Sequence, residues 1–320
     1  MTESAPTPRP PSSAPAADGL ARPRDFDARY GEGLGLGISL GGGGVFFVAW
    51  QVAYLHEMSI RGIGLAGADR VVGTSAGALV AAVLEAGRIR RLRAELTVVA
   101  RLPKLLGALA PASDLGPSQV RALELFHQAA DARLDTVRAI GHAALAAQTS
   151  PPPVMVRKLG AILAFRKWPS AALHVTCVDT WSGERCVIGA AAGVGVPRAV
   201  AASSAVPGLF AAQPIGDRLC MDGGVCGTGT HLDLLAGTRR VVVLALTDGR
   251  GVTQGMMTSA PGSTERELAA LVASGSEVFC RVPTTVDPDA LMDPAAVPDA
   301  IEMGRRQAAA DAGDLGRFLA

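Results

Sequence analysis

"VVGTSAGALVAAVL", residues 71–84, sets a serine between a β-branched run and an alanine-rich apolar run. Within it Gly73-Thr74-Ser75-Ala76-Gly77 fits a GxSxG frame. The pattern reads as a strand passing through a tight turn into a helix, with Ser75 on the turn. Small residues are needed there because the serine is held in a strained conformation and side chains at positions 73 and 77 would strike neighbouring backbone. Gly73, Ala76 and Gly77 meet that demand. The turn also places Ser75 at a helix N-terminus, where unpaired N–H groups and the helix dipole favour developing negative charge. A glycine-rich strand-to-helix turn also arises for packing alone, so the surroundings must decide.

Upstream, "GLGISL" (35–40) reads as a strand and "GGGG" (41–44) as a loop opening the helix "VFFVAWQVAYLHEM"; "DRVVG" (69–73) is a second strand. Strand, helix, strand, helix is the order of a parallel sheet. Residues 88–170 change character, with helical stretches such as "RIRRLRAELTVVARL" and "VMVRKLGAILAFRKW", and are predicted to be a helical insertion or cap. Strand signals return in "ALHVTCVDT" and "ERCVIGA", joined by a turn at Trp181-Ser182-Gly183, and again in "RLCM", "RRVVVLAL" and "SEVFCRV". The expectation is one domain over residues 31–320 that carries the insertion, preceded by a disordered Pro/Ala-rich tail over residues 1–30.

The chain has 320 residues, 49% of them hydrophobic, which is ample for a substantial core. Glu85 ends the longest apolar run, well short of the roughly eighteen residues a membrane span needs. The tail lacks the apolar stretch of a secretory signal, so a cytoplasmic location is expected. Five cysteines with no CxxC pair suggest neither a disulfide framework nor a zinc site, and no metal or other cofactor is expected. No nucleic-acid partner is expected either, the net charge being +1. That balance hides an asymmetry: residues 88–170 hold thirteen Lys or Arg against five Asp or Glu, a surface suited to peripheral contact with an anionic membrane.

Five histidines are available to activate the serine: His56, His127, His142, His174 and His231. In an α/β-hydrolase the histidine follows the acid late in the chain, and no histidine lies beyond His231. Only His231, beside a candidate active-site loop, keeps a claim. The alternative is a carboxylate, and "MDGGV" (221–225) supplies Asp222 at the end of a short strand, followed by Gly223 and Gly224. An ionised aspartate accepts a serine proton, weakly unless burial raises its basicity. An Asp-Gly-Gly run is also an ordinary turn. The glycines at 41–44 can point several N–H groups into one volume, for a phosphate or for an oxyanion. Neither the GxGxxG spacing nor the P-loop Gly-Lys-Ser/Thr is present there, which favours the oxyanion.

The glycine loop, "GTSAG" and "DGG", in this order and joined by "AVAASSAVPGLF" (199–210), resemble the patatin-like phospholipase family. That resemblance implies a three-layer α/β/α sandwich with a mostly parallel central sheet. It also implies a Ser/Asp dyad that hydrolyses lipid acyl esters without histidine or metal. By position it makes Ser75 the nucleophile, Asp222 the base, and the N–H groups of Gly41, Gly42, Gly43 and Gly44 the oxyanion donors. Two departures stand out. The family loop is usually followed by Arg or Lys and then Gly, where this chain has Val45 and Phe46; and "VCGTGTHLDLL" replaces the usual residues after Asp-Gly-Gly. Phe46, Phe47 and Trp50 are candidates to hold an acyl chain. An acyltransferase using the same acyl-enzyme, and a non-catalytic lipid-binding protein with a degenerate site, are the alternative readings.

Overall fold

The computed structural model describes residues 18–99, 114–248, 260 and 262–320. Its sheet starts from apolar β-branched runs: β1 (Leu36–Leu40), β2 (Arg70–Gly73), β3 (Leu173–Asp179), β4 (Arg185–Ile188), β5 (Gln213–Ile215), β6 (Arg218–Asp222), β7 (Arg240–Leu244) and β8 (Glu277–Arg281). The order β8-β7-β1-β2-β3 is parallel throughout, while β4 and β6 join β3 antiparallel and β5 joins β6 antiparallel.

The register around β3 brings distant parts of the chain together. Val175 pairs with Gly73 of β2 and Ile188 of β4, while Cys177 pairs with Asp222 of β6 and the same strand β4. A strand has only two edges, so β2 and β6 must lie end to end along one edge of β3. Their C-terminal ends abut beside Thr176, and Gly73 and Asp222 are brought close although they lie far apart in sequence.

Nine described helices and the loops flank this sheet: α1 (Gly44–Ile60), α2 (Ala76–Glu85), α3 (Ile89–Val99), α4 (Pro117–His127), α5 (Leu134–Ala146), α6 (Pro152–Leu163), α7 (Val196–Ser203), α8 (Ser263–Ala273) and α9 (Val297–Leu319). Because side chains alternate across a strand, Ile38, Leu40, Val175 and Leu244 face one layer, in a core shared with α1, α2, α3, α6, α7 and α9. Val72, Val241 and Val243 face the other, covered by Leu232, Leu234 and Leu235, by Leu271 of α8, and by Phe26 and Tyr30. Farther along that second face, Val178 and Met221 pack under Phe126 of α4 and Ile140 of α5. The result is the expected three-layer α/β/α sandwich. Helix α1 is buried along most of its length, and α9 closes over it through hydrogen bonds from Trp50 Nε1 to Gln307 at 2.8 Å and from the Tyr54 hydroxyl to Asp311 at 2.9 Å.

The structure departs from the expected organisation at the tail and adds detail at the insertion and at β5. The tail does not stay free through residue 30: Ala21 bridges Cys186, the Arg22 and Val187 N–H groups donate to Arg185 O and Leu20 O, and Phe26 and Tyr30 join the second core. Strand β4 offers an edge of unpaired backbone groups, and residues 20–22 cover it; residues 1–17 lie outside the described region. The helices of the insertion lie on both faces of the sheet, α3 and α6 on the first and α4 and α5 on the second. Strand β5 was not anticipated from the sequence; it is three residues long, contains Pro214, and is joined to β6 by the two-residue turn Gly216-Asp217 with Gly216 at φ +62°.

Candidate active site

Ser75 stands between β2 and α2 with φ 51° and ψ −117°, a conformation that side chains disfavour. Its neighbours show why the turn is built from small residues. A Cβ at Gly77 would overlap the Leu40 carbonyl, and one at Gly73 would come within 2.7 Å of Ala78 Cα. The Thr74 N–H donates to Leu40 O at 3.1 Å, and its hydroxyl lies 2.6 Å from that of Thr176. Ala76 opens α2 and is buried. The Ser75 N–H donates to Ser203 Oγ at 2.8 Å. Ser203 ends α7 inside the segment "AVAASSAVPGLF", and its contact with Ser75 was not anticipated; only its membership of that segment marked it.

Asp222 ends β6, and its N–H donates to Ala205 O at 3.0 Å. Oδ1 accepts the Gly224 N–H at 2.8 Å, and Oδ2 is buried with no aligned hydrogen-bond partner. Burial pushes the carboxyl pKa up to about 6, against the opposing pull of the Gly224 N–H and the Ser75 hydroxyl. The hydroxyl is thus within electrostatic reach of the carboxyl group, short of a well-formed hydrogen bond. Gly223 is needed for space: a Cβ there would come within 2.7 Å of Thr176.

The glycine loop lies against the serine. A Cβ on Gly42 would sit 3.2 Å from Ser75 Cβ. Gly43 and Gly44 have φ of +157° and +66°, and Gly44 is also hemmed in by the Leu291 carbonyl and Met292. The Gly41 N–H donates to Leu244 O at 3.0 Å, so it belongs to the sheet and is not a free donor, contrary to expectation. The N–H groups of Gly42, Gly43 and Gly44 have no backbone acceptor among the described residues.

A cavity of about 470 Å³ opens on Ser75, walled by apolar residues of α1, α2, α3 and α6 and by Val206 and Phe210. Val45 lines this cavity together with Val48. Phe46, Phe47 and Trp50 do not line it. They are core residues, Phe47 stacked on Trp50 with ring centroids 5.4 Å apart, because the buried side of α1 needs large apolar side chains against the sheet and α9.

The histidines lie elsewhere. His231 is buried in the left-handed region with φ 49°, its Nε2 3.1 Å from Gly223 O and its Nδ1 3.4 Å from Arg185. Burial, then Arg185 and Arg24, holds its pKa well below the usual value. A neutral His231 therefore donates from Nε2 to the carbonyl of Gly223 and braces the Asp222 loop from beneath. Arg185 in turn forms a buried bidentate pair with Asp233 at 2.6 Å. Among the described residues no group of side chains suits a metal ion, and no helix is long and apolar enough to cross a membrane.

An apolar cavity that ends on a strained serine suits a lipid better than a water-soluble substrate, which points to the class of lipid hydrolases. The family agrees: residues 38–234, well over half of the chain, match the family model described as patatin-like phospholipase, and the chain belongs to that family. Among curated proteins none matches the sequence. Among solved structures the chain is similar to VipD from Legionella pneumophila, with 13% identity and a TM-score of 0.39 over 98% of this chain and 72% of that one. It is also similar to the type III effector protein ExoU, with 17% identity and a TM-score of 0.32 over 87% of this chain and 54% of that one.

Proposed function

We propose that the protein cleaves carboxylic esters of lipids through an acyl intermediate on Ser75. The Asp222 carboxylate takes the hydroxyl proton as Oγ attacks the ester carbonyl carbon, and the N–H groups of Gly42, Gly43 and Gly44 stabilise the resulting oxyanion. Collapse breaks the bond to the alcohol, which leaves with the proton held on Asp222. Water then gives a proton to Asp222 and attacks the acyl carbon, freeing the fatty acid and restoring the serine hydroxyl. The apolar cavity holds the acyl chain.

The observation that carries this reading is the buried Asp222, with an unpartnered carboxylate oxygen and a pKa of about 6, beside the strained Ser75. Such a carboxylate is a stronger base than an exposed aspartate and is still ionised at neutral pH. Reacting phospholipid and lysophospholipid with the intact chain and with Ser75→Ala, and following free fatty acid by mass spectrometry, tests it. Fatty acid release that disappears in the variant, with melting temperature retained, is expected; release that persists removes Ser75 from the reaction.

A further inference from the structure

The far end of β2 from Ser75 opens on a second cavity, of about 450 Å³. Three basic side chains line it: Arg22, Arg70 at the start of β2, and His174 near the start of β3. The wall also includes Asp18, but both oxygens of that carboxylate are taken by Arg218, at 2.6 and 3.2 Å. Among the described residues no carboxylate lies within ion-pair distance of Arg22 or Arg70.

The basic groups are held in place. Arg70 Nη1 donates to Tyr30 O at 2.5 Å and to Leu234 O at 2.7 Å, which fixes the guanidinium plane, while its Nε is a buried donor without a partner. His174 Nδ1 donates to Ala172 O at 2.8 Å, leaving Nε2 uncommitted. The three groups are close enough to perturb one another. Burial and then Arg22 lower the pKa of Arg70; burial, with smaller pushes from Arg70 and Arg22, lowers that of His174 against the opposing hydrogen bond to Ala172 O. The two guanidinium charges in the cavity repel, and an oxyanion seated between them would offset that repulsion. The space exceeds what a bare phosphate needs and lies in the range of small-molecule sites.

We propose that this cavity binds a small organic phosphomonoester, its phosphate held by Arg22 and Arg70 and a hydroxyl of its organic part donated to His174 Nε2, at the end of the sheet opposite the reactive serine. Calorimetric titration of full-length Ser75→Ala protein with glycerol 3-phosphate and with inorganic phosphate tests it, independently of turnover. Saturable one-to-one binding of glycerol 3-phosphate is expected, weakened at least about tenfold by the exposed substitution Arg22→Glu and unchanged by Ile162→Trp in the apolar cavity. A competition arm with phosphatidic acid vesicles separates the sources: vesicles that displace the soluble ester mark a lipid headgroup as the natural ligand, and vesicles that do not mark a free metabolite. No binding of glycerol 3-phosphate, or binding that survives Arg22→Glu, overturns the proposal.

Discussion

Asp222 combines two opposed demands in one side chain. Its raised pKa means that between pH of about 4 and about 6 the folded protein holds a proton that the unfolded chain has lost. The group's contribution to stability is therefore greatest below the unfolded pKa and falls as pH rises through about 6. Above that, the buried carboxylate costs about 2 to 3 kcal/mol, at roughly 1.4 kcal/mol per pKa unit. Asp222→Asn keeps the acceptor for the Gly224 N–H and removes the charge, so it should melt higher than the parent at pH 8, with the difference vanishing near pH 4. The same variant should lose about 10³-fold in turnover, and the parent's activity should fall with an acid limb near pH 6. A variant that is less stable at pH 8 and fully active would show that the carboxylate serves neither role.

At the scale of elements, what was legible in the sequence is what is local. The β-branched run, the small residues around Ser75 and the glycines before α1 each mark their own conformation, and so the strand-turn-helix units stand where the sequence puts them. The meeting of β2 with β6 on one edge of β3 comes from each pairing separately with β3, Gly73 with Val175 and Cys177 with Asp222, over separations that no window of sequence contains. For the same reason the use of Ser203 and the Ala205 carbonyl to hold the two halves of the site was invisible, as was the way the insertion straddles the sheet. That straddling makes α6 a wall of the apolar cavity, with Ile162 half-buried in it. Ile162→Trp should fill the cavity and cut hydrolysis of long-chain esters about tenfold while sparing butyrate esters. Equal loss on both, measured as kcat/KM, would place the acyl chain elsewhere.

Across the whole molecule, chemistry and charge are distributed along the axis of the sheet. The apolar cavity opens beside α3 and α6, where Arg90, Arg157 and Lys158 are exposed. An apolar opening with exposed cations on two of its neighbouring helices suits the surface of an anionic bilayer, from which the substrate would enter the site. Sedimentation with vesicles should rise with the fraction of anionic lipid and fall with salt. Binding indifferent to lipid charge would remove membrane docking through this face. The central claim is nevertheless chemical, that Ser75 is the activated nucleophile. Labelling the intact protein with a fluorophosphonate probe and mapping the adduct by peptide mass spectrometry tests it most directly. The account predicts one adduct, on Ser75, strongly reduced in Asp222→Asn; an unlabelled protein, or an adduct on another residue, would contradict it.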